Sequence, residues 1–301
     1  MRLAEIHSSE LTGSCLRKIY HRLNGEVTGA TTTALYRGLV AGRAMELLHQ
    51  QEFDSDPSEI TIEAAADTQK TLASENRILT EAVEQNRGDI LAEITGAVHL
   101  YQDRFGPLFK RCSLIGTELP CRITVDGTDY ASHLDLMVRD VHNVFGHGKE
   151  RLLVFDWKWR EQLPSYSYLA RNMQFALYYL MVKDGSVLVY PKAGDMGWVE
   201  FNESPTLIWC HLPNLKPYNR KVICKNDSGE EQQYVRGDLR PTRSILHSVT
   251  YDDKHCGRIT DELKTRAKMI KNDIFPLNPD PVSCRICDAE AFCTRFDMPQ
   301  I

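Results

Sequence analysis

The chain has 301 residues, 42% of them hydrophobic and 26% charged, with a formal net charge of -5 and a pI near 6.1. These are ordinary globular values, and the length carries a large core in one elaborated domain or two smaller ones. The acidic balance argues against a protein that coats nucleic acid along its surface, but not against an enzyme gripping a few phosphates in a local groove, where the local field opposes the net charge.

Met1 to Leu11 carries Arg2, Glu5, His7 and Glu10 and lacks the apolar core of a signal peptide. No apolar run approaches the roughly 18 residues of a membrane span, so a soluble, cytoplasmic protein is expected. Residues 8–23 read as a helix, with Leu11, Cys15, Leu16, Ile19 and Leu23 at helical spacing and Asn24-Gly25 as its stop. A second helix is predicted from Thr31 to Gln51, and helical stripes continue to Phe105 with a break near Glu75-Asn76. At Pro107 the pattern changes. Leu114 to Val125 and Tyr130 to Arg139 read as a hairpin around Asp126-Gly127. A third strand is predicted over Arg151 to Trp159, a helix over Ser165 to Lys183, and short strands at Ser186 to Tyr190 and Gly197 to Phe201. Residues 202–250 are strand-like pieces punctuated by prolines. A helix from Thr260 to Asn272 precedes the Pro-rich Phe275 to Pro281 and a cysteine cluster. This order predicts an α/β fold with a mixed sheet under a helical cover. It is read as a single domain over 1–301, with a helical N-terminal region over 1–106, a core over 107–201, an insertion over 202–260 and a C-terminal helix and cluster segment over 261–301.

Strand alternation places Val154, Asp156, Lys158 and Arg160 on one face and Phe155, Trp157 and Trp159 on the other. On the returning hairpin strand, His133 and Asp135 share one face and Leu134, Leu136 and Val138 the other. Charges inside strands this apolar are costly unless paired or metal-bound. Two aspartates on neighbouring strands suit a hard divalent cation, and an adjacent lysine can hold an attacking water or stabilise charge on phosphate. The bland alternative is an exposed ion pair on an edge strand. Downstream, Gln174 and Tyr178 lie four apart on one helix face, with Arg171 a turn earlier.

Asp135, then Asp156-Trp157-Lys158, then Gln174-Phe175-Ala176-Leu177-Tyr178 resembles the PD-(D/E)XK nucleases of the RecB-like branch, which carry a Q-x-x-x-Y motif. Ser132-His133-Leu134-Asp135 lacks the Gly of that family's usual G-x-x-D turn. The resemblance implies a restriction-endonuclease-like core. It also implies that Glu46, in Gly42-Arg43-Ala44-Met45-Glu46, joins the metal shell, with His49 as the alternative.

Nine cysteines are present. Cys112, Cys121 and Cys210 read as small buried hydrophobes. Cys284, Cys287 and Cys293 have metal-ligand spacing and need a fourth thiolate; zinc and an iron–sulfur cluster both fit that set, and plain reduced thiols are a third option. Ser14-Cys15-Leu16-Arg17-Lys18-Ile19-Tyr20 resembles the stretch that opens the iron–sulfur members of the same branch, among them AddB-type subunits and CRISPR-associated spacer-acquisition exonucleases. That resemblance implies a 4Fe-4S cluster on Cys15, Cys284, Cys287 and Cys293, packing the C-terminal segment on the first helix.

The expected function is Mg²⁺- or Mn²⁺-dependent hydrolysis of DNA, by resemblance exonucleolytic on single strands or ends. Asp135, Asp156 and Glu46 would bind the metal, and Lys158 would activate water. Gln174 and Tyr178 would support the site and touch the strand. Arg17, Lys18, Arg37, Arg43, Arg160 and Arg171 would line a phosphate groove. The competing readings are a non-catalytic DNA-binding module of a recombination, repair or CRISPR complex, and a zinc-stapled protein of another class.

Overall fold

The structure is a computed structural model. It describes residues 6–7, 30–75, 77–148, 150–159, 165–190, 196–212, 218–225, 231–238, 245–272 and 274. The first predicted helix and all four cysteines of the expected cluster lie outside these residues.

Two short strands, β1 (Ile6–His7) and β2 (Ala30–Thr31), precede the helical region. Thr32 caps α1 (Thr33–Gln50), its Oγ1 accepting from the Leu35 N–H. Asp56 caps α2 (Pro57–Ser74) through the N–H groups of Ser58 and Glu59, with Pro57 in the first turn where its missing N–H costs nothing. β3 (Ile78–Leu79) pairs with β2. The long helix α3 (Glu81–Phe109) runs through Pro107 to Phe109, four residues beyond the expected end.

β4 (Ser113–Val125) and β5 (Thr128–Asp140) form the predicted hairpin. Asp126 and Gly127 both have positive φ, 52° and 67°, which is the demand a tight two-residue turn makes and why Asp-Gly is there. β6 (Arg151–Lys158) is buried along most of its length. The next predicted helix is split into α4 (Tyr166–Ala170) and α5 (Met173–Lys183), because the Asn172 side chain caps α5 at the Phe175 N–H. β7 (Ser186–Val189) and β8 (Gly197–Val199) follow. Gly185 lets β7 start hard against β4, since a Cβ there would strike the Arg122 and Met181 carbonyl oxygens.

Residues 202–260 are not simply an insertion. β9 (Thr206–His211) and β12 (Leu246–Val249) belong to the central sheet, while β10 (Tyr218–Lys225) and β11 (Glu231–Asp238) form a separate hairpin between them. Thr206-Leu-Ile-Trp-Cys-His211 is buried at every position, so it shows no alternation to read. The last helix, α6 (Asp253–Lys271), begins seven residues before its expected start. The Asp252 side chain takes the His255 N–H there, in a first turn too polar for a helical stripe to show.

The main sheet has eight strands, seven of them in the order β12-β9-β6-β5-β4-β7-β8, with β1 beside β5. It is mixed: β6 runs parallel to β9 and antiparallel to β5. One face packs Leu136, Val138, Leu153, Phe155, Trp157, Ile208 and Cys210 against α1, α2 and α3. The other packs Leu119, Cys121, Leu134, Val154, Leu207 and Trp209 against α5 and α6. The result is a restriction-endonuclease-like α/β fold. Among the described residues no helix is long and apolar enough to cross a membrane.

Candidate active site

Leu134 and Leu136 pack into opposite cores, although two residues apart on an unbroken strand they would share a face. The expected common face of Leu134, Leu136 and Val138 is therefore wrong: the alternation slips at Asp135. The facing strand is irregular too. Its register shifts between Leu114 and Gly116, and Glu118 holds a left-handed φ of 47°. A non-glycine residue in that region is strained, and such strain concentrates at functional sites.

Regular β5–β6 pairing reaches Leu136↔Phe155, one step short of Asp135 and Asp156. Where it stops, the Trp157 N–H donates to Asp135 Oδ2 at 2.8 Å, so the aspartate caps the ladder. Asp156 is fully buried, and Lys158 Nζ donates to its Oδ1 at 2.7 Å. The bland reading, an exposed pair on an edge strand, fails on both counts: β6 is central and Asp156 has no exposure.

Helix α1 adds Glu46, 9% exposed. Arg43 donates to its Oε2 at 2.6 Å and Gln50 Nε2 to its Oε1 at 2.9 Å; Gln50 also reaches Thr117 Oγ1 on β4 at 3.1 Å. Glu118 follows Thr117. Glu46, Glu118, Asp135 and Lys158 line one groove of about 770 Å³, whose far wall is α2.

The charges in this groove do not balance. Asp135 is pushed well above the usual carboxylate range by burial and then by the Asp156 charge, against the pull of Lys158, with Glu118 adding to the push. Glu118 is pushed up to about 7 by loss of solvent and then by Glu46, again against Lys158. Its residue opens onto the groove, so the desolvation is that of a concave wall and not of a closed core.

A sequence profile of the PD-(D/E)XK nuclease superfamily matches residues 10–294. The chain belongs to that superfamily. No curated protein matches the chain. The nuclease family's chemistry is metal-dependent hydrolysis, and the donor set here fits a hard cation: four carboxylates beside the Lys158 ammonium and the Arg43 guanidinium, crowded enough that two acids resist ionising. Among the described residues, no group of three His, Cys, Asp or Glu side chains stands arranged to hold one ion. Each carboxylate has another partner: Asp135 accepts from a backbone N–H, Asp156 from Lys158, and Glu46 from Arg43 and Gln50. An ion bound by three of these carboxylates would require some of these side chains to turn.

The remaining expected residues divide. His49, the alternative to Glu46, points into an aromatic cage, its ring 4.6 Å from Phe109, 4.7 Å from Phe53 and 5.5 Å from Trp157. Its Nε2 lies 3.1 Å from Tyr101 Oη, and burial pushes its pKa down to about 3, so it is a neutral core residue away from the carboxylates. Gln174 Nε2 donates to Tyr178 Oη at 2.6 Å. Tyr178 is buried on the α5 side, its pKa raised by burial and by the Asp156 and Asp135 charges, so it backs the aspartates from behind the sheet. A buried Tyr178 does not meet a substrate strand in the groove. Arg37 pairs with Glu93, Arg171 is exposed, and Arg43 alone of the expected arginines that are described lines the groove. Arg17, Lys18 and Arg160 lie outside the described residues. Cys121 and Cys210 are buried and Cys112 is half-buried, as small hydrophobes would be.

Glu118 is the residue that sequence reasoning missed. Its only signal is a charge between Gly116 and Pro120, two residues that disturb a regular strand.

Proposed function

We propose that this chain hydrolyses phosphodiester bonds of DNA with Mg²⁺ or Mn²⁺, acting as an exonuclease on single strands or DNA ends. The observation that carries this reading is the gathering of Glu46, Glu118, Asp135 and Asp156 around Lys158 at the point where β5 and β6 separate. A divalent ion held by Asp135 and Asp156, with Glu46 or Glu118 completing its shell, would polarise the phosphate and acidify a water. Lys158 then has two tasks. Its ammonium, 2.7 Å from Asp156, orients the attacking water and opposes the negative charge that grows on the phosphate. Asp135 is fixed by the Trp157 N–H and lines the groove. Gln174 and Tyr178 stiffen the floor beneath Asp156.

We further propose, from spacing and family resemblance alone, that Cys15, Cys284, Cys287 and Cys293 hold a 4Fe-4S cluster that ties the chain's ends together. Iron content and a broad visible absorption, both lost in Cys284→Ser, are the expected signs; zinc with no visible absorption contradicts the cluster.

The function itself is tested with DNA labelled separately at each end, single- and double-stranded, and Mn²⁺. Mononucleotide release from one end supports an exonuclease and gives its polarity. Internal cuts replace exonuclease with endonuclease. Binding without cleavage supports the non-catalytic DNA-binding module.

A further inference from the structure

Arg43 divides one guanidinium between two carboxylates. Its Nη1 donates to Glu46 Oε2 at 2.6 Å, while Nη2 and Nε both reach Asp67 Oδ2 on α2, at 2.8 and 3.1 Å. The side chain keeps 31% exposure and borders the groove. Beside it the face of α1 is bare. Gly38, Gly42 and Glu46 are spaced four apart and share that face, and a Cβ built on either glycine meets nothing within 4 Å. A sugar–phosphate chain can therefore approach the helix backbone next to Arg43.

Resting on the carboxylate site read above, we propose that Arg43 is a phosphate-binding residue held in reserve on Glu46, with Asp67 the positioning residue that tethers it. Without a divalent ion, Arg43 supplies some of the positive charge that the carboxylates lack. With Glu46 turned to a divalent ion, the Nη1 edge of Arg43 would be released. Asp67 still grips the opposite edge, so the guanidinium stays on the groove wall and presents its freed N–H groups to a phosphate oxygen. Arginine suits this exchange because its planar fork serves two acceptors at once and stays charged throughout. Neither Asp67 nor Arg43 belongs to the D…D-x-K pattern.

Two variants should shift Mn²⁺ affinity in opposite directions, where a structural role would move them together. Mn²⁺ binding is measured by calorimetry on the full chain without nucleic acid. Arg43→Ala frees Glu46 and is expected to bind Mn²⁺ about threefold to tenfold more tightly, the scale of a half-shielded ion pair. Asp67→Asn leaves Arg43 undivided on Glu46 and is expected to weaken Mn²⁺ by about threefold, with Asp67→Glu restoring it. In a Lys158→Ala background with Mn²⁺, Arg43→Ala is expected to weaken binding of a single-stranded oligothymidylate by about threefold to tenfold. Weaker Mn²⁺ binding by Arg43→Ala overturns the proposal, because Arg43 would then be holding Glu46 in place for the ion. Unchanged oligonucleotide affinity overturns the phosphate role. If Arg43→Ala does not fold, the Asp67 pair carries the test, and unchanged or tighter Mn²⁺ binding by Asp67→Asn overturns it. A wild-type protein that binds no Mn²⁺ overturns the carboxylate site itself, a result distinct from a wrong sign in the variants.

Discussion

Trp157 stands between two regions that treat polar residues in opposite ways. On one side its ring packs near His49 in a cage with Phe53, Tyr101 and Phe109, and the histidine is kept neutral by burial. On the other side its backbone N–H caps Asp135 in the groove, where carboxylates outnumber ammonium groups and two of them are pushed up in pKa. Glu46 and His49 sit three residues apart on α1 yet fall on opposite sides of this divide. The cage satisfies its polar group and contributes stability. The groove leaves its charges in conflict, which costs stability and prepares the site for a cation. Family position alone does not say which residue does which; the environment does.

That contrast can be broken by substitution, most strongly at Lys158. Lys158→Ala is expected to lower nuclease activity by about 10²- to 10⁴-fold, the span of a lost acid–base or electrostatic group, with the fold intact by circular dichroism. His49→Ala should do the reverse, costing about 2–4 kcal/mol of stability through the cavity it leaves, while Mn²⁺ binding persists. Denaturant unfolding beside calorimetry separates the two effects. If His49→Ala removes Mn²⁺ binding without loss of stability, the assignment of the two sides is wrong.

Asp135→Asn should remove metal binding yet raise the Tm of the metal-free protein by a few degrees or so, because it removes a carboxyl that burial and the Asp156 charge hold against ionising. A lower Tm would mean that the capped Trp157 N–H matters more than the repulsion. The pH dependence is subtler. Glu118, with a folded pKa near 7 against an ordinary 4.5, binds more protons folded than unfolded between those values. Its contribution to stability is thus full below about pH 4.5 and is lost as pH rises to about 7. His49 runs the other way: its pKa is depressed to about 3, so its contribution holds above about 6.5 and is lost as pH falls toward 3. Glu118→Gln should flatten the metal-free Tm profile between about pH 4.5 and 7, and saturating Mn²⁺ should flatten it in the wild type.

Much of this was legible in the sequence, and what was hidden had local causes. Asp126-Gly127 announces its hairpin because few other pairs tolerate two positive φ angles. Asp156 and Lys158 announce themselves as charges on the strand Leu152-Leu-Val-Phe-Asp-Trp-Lys158. Glu118 is silent because its role depends on a strained backbone and a slipped register, which no spacing rule encodes. β9 hides for the opposite reason, since a strand buried on both faces has lost the alternation by which strands are read. Asp67 lies on another helix and reaches Glu46 only through Arg43.

Whether the groove hydrolyses DNA is decided by cleavage of end-labelled DNA by anaerobically purified protein across a Mn²⁺ titration, run beside Lys158→Ala. Cleavage should rise with Mn²⁺ and be nearly abolished in the variant. Cleavage that is indifferent to Mn²⁺, or equal in the two proteins, would contradict this and move the chemistry away from the Asp135–Asp156–Lys158 groove.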